Sequence, residues 1–347
     1  MRIHRSLRST RRSLAALGVA VLTAAAAALS LAPTSAQALP TADKQAVLDY
    51  LHSVRGSGIV SGQHNKEPAN QPSQYTKQVH DITGEYPGLW GGDLMFREQD
   101  ARDRQLVIDQ AKTEWANGSL VALSWHACPP TGPSTCEFEG GVKSDITPQE
   151  FRDIVTDGTE LNATWKSRLD EIAPYLEQLQ DDGIPALFRP FHEMNESWNW
   201  WGEQPGEDGG ARLFQLTRDY LEDTRGLDNL VWVWNVQDNP DGGWDSYYPG
   251  DDYADVVSLD VWYKGHPSDA DYRQLRDIAG DKPIALAEMG RVPDAQLLES
   301  QTEWTYFMVW SEQLREDNTD EEIQAAYYHS RTLNQGELAM DSAAGRR

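Results

Sequence analysis

Beyond its first 38 residues, the chain repeats one pattern: a short apolar run followed by a longer polar stretch that suits a helix. The runs occupy 58–64, 89–94, 120–126, 184–190, 230–235, 256–262, 283–288 and 304–310. Each is too short for a buried helix and is rich in Val, Ile, Leu and Trp, which predicts strands covered on both faces. Between them, 104–115, 165–179, 211–221 and 271–278 are helix candidates. Strands alternating with helices imply parallel pairing through crossovers. Eight such units in the 309 residues after position 38 predict an α/β chain, a (β/α)8 TIM barrel forming a single catalytic domain over 39–347. A doubly wound open sheet is the structural alternative. It usually carries a Gly-rich phosphate turn after its first strand, and Ser61-Gly-Gln-His-Asn-Lys-Glu67 is not one.

Residues 1–38 read as an export signal to be excluded from the fold. Arg2, Arg5, Arg8, Arg11 and Arg12 form a basic start, an apolar stretch runs from Leu14 to Leu31, and Ala36-Gln37-Ala38 supplies a small-x-small cleavage site. The apolar stretch could also serve as a membrane anchor, but the cleavage site favours removal. Arg11-Arg12 loosely resembles a twin-arginine signal. The expected mature protein is secreted, extracellular and monomeric. Its two cysteines, Cys128 and Cys136, flank a Pro/Gly-rich segment that can fold back on itself. An oxidising compartment favours a disulfide there over two free thiols.

Charge narrows the partners. The chain has 30 Lys+Arg against 55 Asp+Glu, a formal −25; loss of the five leader arginines leaves 25 against 55, or −30. Such a surface repels nucleic acid phosphates and anionic membranes, so neither is an expected partner. Thirteen Trp against 7 Phe is an unusual balance, and Trp suits places where a flat face meets water at one edge.

In a barrel, chemistry belongs at the C-terminal strand ends. Those ends carry His64, Asp93, His126, Glu193, Asn235, Asp260, Glu288 and Trp310. Glu193 and Glu288 lie on the fourth and seventh strands, facing each other across the mouth. Two carboxylates so placed, beside several Trp, suit glycoside hydrolysis: one donates a proton to the leaving oxygen and the other attacks the anomeric carbon. A gap of roughly 5–5.5 Å gives retention of configuration.

The motif Arg189-Pro-Phe-His-Glu-Met-Asn195, followed by Trp198, resembles the acid/base signature of glycoside hydrolase family 26, best known for endo-β-1,4-mannanases. Ile284-Ala-Leu-Ala-Glu-Met-Gly290 is similar to that family's nucleophile strand. Ser61-Gly-Gln-His-Asn65 and Ser124-Trp-His126 are similar to its first and third strand ends. The resemblance implies a (β/α)8 retaining hydrolase of mannan or galactomannan that needs no metal or cofactor. Mixed-linkage β-glucan and β-1,3-xylan are the alternative substrates on the same scaffold. By position, Glu193 is the acid/base and Glu288 the nucleophile. The resemblance makes His126, Arg189, His192, Trp198, Trp262, Tyr263 and Trp310 substrate-binding residues, with Arg189 able to hold Glu288 ionised. Two departures stand out. The family's Asp-x-Tyr reads Asp260-Val-Trp262-Tyr263 here, leaving open which aromatic reaches the nucleophile, and Glu196 stands where Gly is usual.

Two rival classes remain in view. A metal-dependent hydrolase needs clustered ligands, and Gln63-His64-Asn65 supplies one histidine. A non-catalytic carbohydrate-binding protein would have no need of both glutamates. Trp232 and Trp234, on one strand face, are expected to fill the barrel core, while Trp200 and Trp201 stand between core and sugar-platform readings.

Overall fold

The computed structural model describes residues 39–66 and 68–340, so the expected leader lies outside the described residues. Its strands are β1 (Ile59–Val60), β2 (Gly62–Asn65), β3 (Leu89–Asp93), β4 (Leu120–Ser124), β5 (Ala186–Arg189), β6 (Leu230–Gln237), β7 (Val256–Val261), β8 (Ile284–Met289), β9 (Trp304–Val309) and β10 (Thr332–Leu333). All pair in parallel. Neighbours run β2 to β9 in chain order, and β9 returns to β1 and β2 while also pairing β8. The sheet is therefore closed, which excludes the open doubly wound alternative.

Each of the eight apolar runs became a barrel strand. The first splits at Ser61, whose hydroxyl donates to Asn334 Oδ1 at 2.8 Å while β1 pairs with the short extra strand β10. Nearly every strand position is buried, because helices cover the outside and side chains fill the inside. The four helix candidates fall in Glu98–Ala116, Glu160–Asp181, Gly210–Asp219 and Asp269–Ala279; the third continues as a π-helical turn, Tyr220–Thr224. Reciprocal capping boxes at Thr147/Glu150, Ser268/Asp271 and Thr319/Glu322 start three helices by satisfying backbone N–H groups that have no partner within the helix.

Trp232 and Trp234 are core residues, but they do not fill the barrel. Both point outward: Trp232 packs on Phe214 of the covering helix and donates to Glu222, and Trp234 donates to the Tyr247 carbonyl. The inward face of β6 belongs to Val233 and Asn235. Inside, space is tight enough that a Cβ on Gly91 would lie 2.7 Å from Met308 Sδ.

Cys128 and Cys136 form a disulfide, with their Cα atoms 5.9 Å apart. It fastens the irregular segment between β4 and the helix starting at Pro148. Among the described residues, no helix is long and apolar enough to cross a membrane.

Candidate active site

Three buried carboxyl groups meet at the C-terminal mouth. Glu288 comes from β8 and Asp260 from β7, and the two are register partners just past a bulge at Leu259/Asp260. Glu193 follows β5 in a tight turn. Its backbone is left-handed, with φ +52°, and its N–H donates to Asn235 Oδ1 at 2.7 Å. One oxygen from each of the three groups lies within 4.8 Å of the others. Arg189, at the end of β5, returns to the interior and bridges two of them: Nη1 donates to Asp260 Oδ2 at 2.6 Å and Nη2 to Glu288 Oε1. The pairing with Glu288 was expected; the one with Asp260 was not.

The hydrogen bonds separate the roles. Asp260 also accepts from Asn235 Nδ2 at 2.7 Å, so both its oxygens face donors. Glu193 Oε2 accepts from Trp198 Nε1 at 2.5 Å and, among the described residues, forms no ion pair. Burial, then the charges of Asp260 and Glu288, hold the Glu193 carboxyl well above the ordinary glutamate range. Burial lifts Asp260 as well, against the pull of Arg189. Of the two raised groups, Asp260 has the guanidinium in contact, whereas Glu193 faces it only at longer range. By spacing alone the three carboxyls could hold a cation, but Arg189 already supplies positive charge to two of them.

A cavity of about 370 Å³ opens over this floor. His126, His192, Trp198, Trp262 and Trp310 line it together with Glu193 and Glu288, whereas Arg189 lies beneath. Trp262, and not Tyr263, therefore shares the cavity with Glu288. Tyr263 sits at the rim, 57% exposed, and donates its hydroxyl to Glu196 Oε2 at 3.3 Å. Glu196 also accepts from Asn239 and is not among the residues that line the cavity. Trp200 and Trp201 are buried props, donating to the carbonyls of Ala127 and His192. Trp310 stacks on His64 with centroids 4.1 Å apart.

His126 is organised by Asp93, whose Oδ2 contacts His126 Nδ1 at 2.6 Å and accepts from Ser124 Oγ at 2.6 Å. Burial disfavours the imidazolium, but the Asp93 charge and hydrogen bond outweigh it, so His126 titrates above the usual histidine value. Asp93 is held below the usual aspartate range: burial opposes ionisation, but His126 and the hydrogen bonds prevail. Burial pushes His64 down to about 3 and His192 well below its usual value, so both are neutral. Sequence reasoning missed the wall residues Lys66, Met95, Phe96, Arg97, Phe138 and Gln237. It also missed Asp238, whose carboxylate accepts the backbone N–H groups of Trp262, Tyr263 and Lys264 at 2.9, 2.9 and 3.0 Å.

A closed parallel barrel that holds paired glutamates on its fourth and seventh positions under an aromatic cleft is the arrangement that glycoside hydrolysis needs. Comparison with known proteins sharpens the class. The chain belongs to glycosyl hydrolase family 26, whose model matches residues 36–337. It is 32% identical over 314 residues to a mannan endo-1,4-beta-mannosidase of Thermothelomyces thermophilus, covering 86% of this chain but 62%, less than two thirds, of that relative. A Bacillus subtilis protein of the same name is 29% identical, covering 75% of this chain and 76% of its own. Among solved structures, GH26A from a Muricauda species superposes with a TM-score of 0.80 at 34% identity, covering 85% of this chain and 97% of that one. A beta-mannanase from a symbiotic protist of the termite Reticulitermes speratus, complexed with gluco-manno-oligosaccharide, gives 0.74 at 26% identity, covering 89% and 98%.

Proposed function

We propose that the protein is a secreted, monomeric, retaining endo-β-1,4-mannanase, with residues 1–38 removed on export. The observation that carries the mechanism is the buried glutamate pair, with one oxygen of each within 4.8 Å and Arg189 bound to Glu288 alone of the two. Glu288 attacks the anomeric carbon while Glu193 gives its proton to the departing oxygen, leaving a glycosyl ester on Glu288. Glu193, now ionised, takes a proton from water, and the hydroxide equivalent cleaves the ester with retained configuration. His126, His192, Trp198, Trp262 and Trp310 grip the sugars at the cavity wall, and Arg189 orients the nucleophile from below. Mannan is supported by the names of the relatives, and a neutral polymer also suits an acidic protein with aromatic walls.

Products from mannan, galactomannan, mixed-linkage glucan and β-1,3-xylan, with NMR of the first-formed anomer, test this reading. The expected result is internal cleavage of mannan with the β-anomer appearing first. Glu193→Ala and Glu288→Ala should each lose most activity. Appearance of the α-anomer first would overturn the mechanism; cleavage of one of the other polymers instead of mannan would overturn the substrate.

A further inference from the structure

Beside Trp198, part of the cavity wall comes from the irregular segment that follows β4, which contributes Phe138. The Phe138 ring lies 5.7 Å from the Trp198 ring, 6.0 Å from Phe96 and 6.4 Å from His126. Trp198 contacts Glu193 directly, so Phe138 stands one aromatic layer further from the reacting atoms. A phenyl face carries no polar atom. In a wet cleft it suits the apolar C–H face of a pyranose.

The position of this ring depends on few ties. Phe138 lies two residues after Cys136, and Cys128 two residues after His126, so the bridge joins the root of the segment to the base of the ring. The Cys136 N–H donates to the Phe96 carbonyl at 3.0 Å. Beyond Phe138 the chain turns back, with the Lys143 N–H donating to the Phe138 carbonyl at 2.8 Å. The turn packs directly against the bridge: a Cβ on Gly141 would sit 2.7 Å from Cys136 Sγ.

We propose that Phe138 is the platform of a sugar subsite next to the cleavage point, set in place by the Cys128–Cys136 bridge, its ligand being a pyranose unit of the neutral polysaccharide. This rests on the carbohydrate reading above. Phe138 contacts substrate, and the cystine acts through it as a positioning element.

The test is steady-state kinetics on soluble galactomannan for the wild type, Phe138→Ala, Phe138→Leu, Phe138→Tyr, the pair Cys128→Ser/Cys136→Ser, and that pair combined with Phe138→Ala. Thermal melting reports folding of each. Phe138→Ala and Phe138→Leu should raise KM roughly three- to tenfold with kcat within about twofold, and Phe138→Tyr should restore KM. The serine pair should also raise KM, and adding it to Phe138→Ala should raise KM no further. Unchanged KM in Phe138→Ala and Phe138→Leu overturns the subsite. A KM increase from the serine pair that multiplies with that of Phe138→Ala overturns the positioning role. If the wild type cleaves a different β-glycan, the same comparison is run on it. If it cleaves none, the parent reading has failed, and the melting data separate that failure from unfolding.

Discussion

Asp238→Asn tests how the cavity keeps Trp262 in place. Asp238 is fully buried and accepts three consecutive backbone N–H groups, two on Oδ1 and one on Oδ2. An asparagine can still accept two of them, but its NH2 group then faces the Lys264 N–H, and two donors oppose each other. A bond to a charged acceptor is worth about 1.5–3 kcal/mol, and a neutral one about 1 kcal/mol. Losing one bond and weakening two costs about 3–5 kcal/mol in total. Because 262–264 is a short loop, that cost is capped by letting the loop open locally while the barrel stays folded. The melting temperature should therefore fall by only a few degrees. Hydrogen exchange at the 262–264 amides should accelerate by orders of magnitude, and KM should rise more than kcat falls. Retained protection of those amides together with an unchanged KM would refute the reasoning.

Trp198→Phe removes the N–H that favours ionised Glu193. The rate falls as pH rises through the Glu193 value, so the basic limb of kcat/KM should begin above the ordinary glutamate range and move further upward in this variant; a downward move contradicts the assignment. Asp93→Asn removes the charge that most raises His126, so the His126 ring should titrate lower by NMR than in the wild type. The depressed Asp93 contributes stability that is present above its unfolded value and lost as pH falls through its lower native value. Denaturant titrations of Asp93→Asn should show the deficit against wild type shrinking across that acid window. Gly62→Ala places a Cβ 2.4 Å from the Phe307 carbonyl, a backbone atom that cannot step aside, and should destabilise by about 1–3 kcal/mol or more in urea melts.

The barrel was legible because its strands are short, apolar and regularly spaced, and because parallel strands buried on both faces leave little ambiguity. The two glutamates that meet at the mouth were legible for a related reason: Glu288 ends the apolar run 283–288 and Glu193 follows the run 184–190 by three residues. Residues supplied by loops were harder to read. Phe138 and Arg97 belong to segments with no period, and their approach to the cavity depends on a disulfide and on turns whose geometry composition does not encode. Asp238 looked like one acid among 55 because its function is a set of backbone contacts. The direction of Trp232 and Trp234 was misjudged for a simpler reason. Alternation separates two faces of a strand but does not say which one turns inward; the polar Asn235, which had to reach Asp260, decided it.

The left-handed backbone of Glu193 gives the molecule a direction in which it can drift. A side chain with a Cβ in that conformation costs about 1–2 kcal/mol, and asparagine tolerates it best among non-glycine residues. Glu193→Asn would also withdraw an ionisable group from a site that resists its charge. Selection for stability alone would therefore favour replacing Glu193. On the function proposed above, the variant would keep the cleft and lose its acid, so the glutamate persists only under selection for turnover.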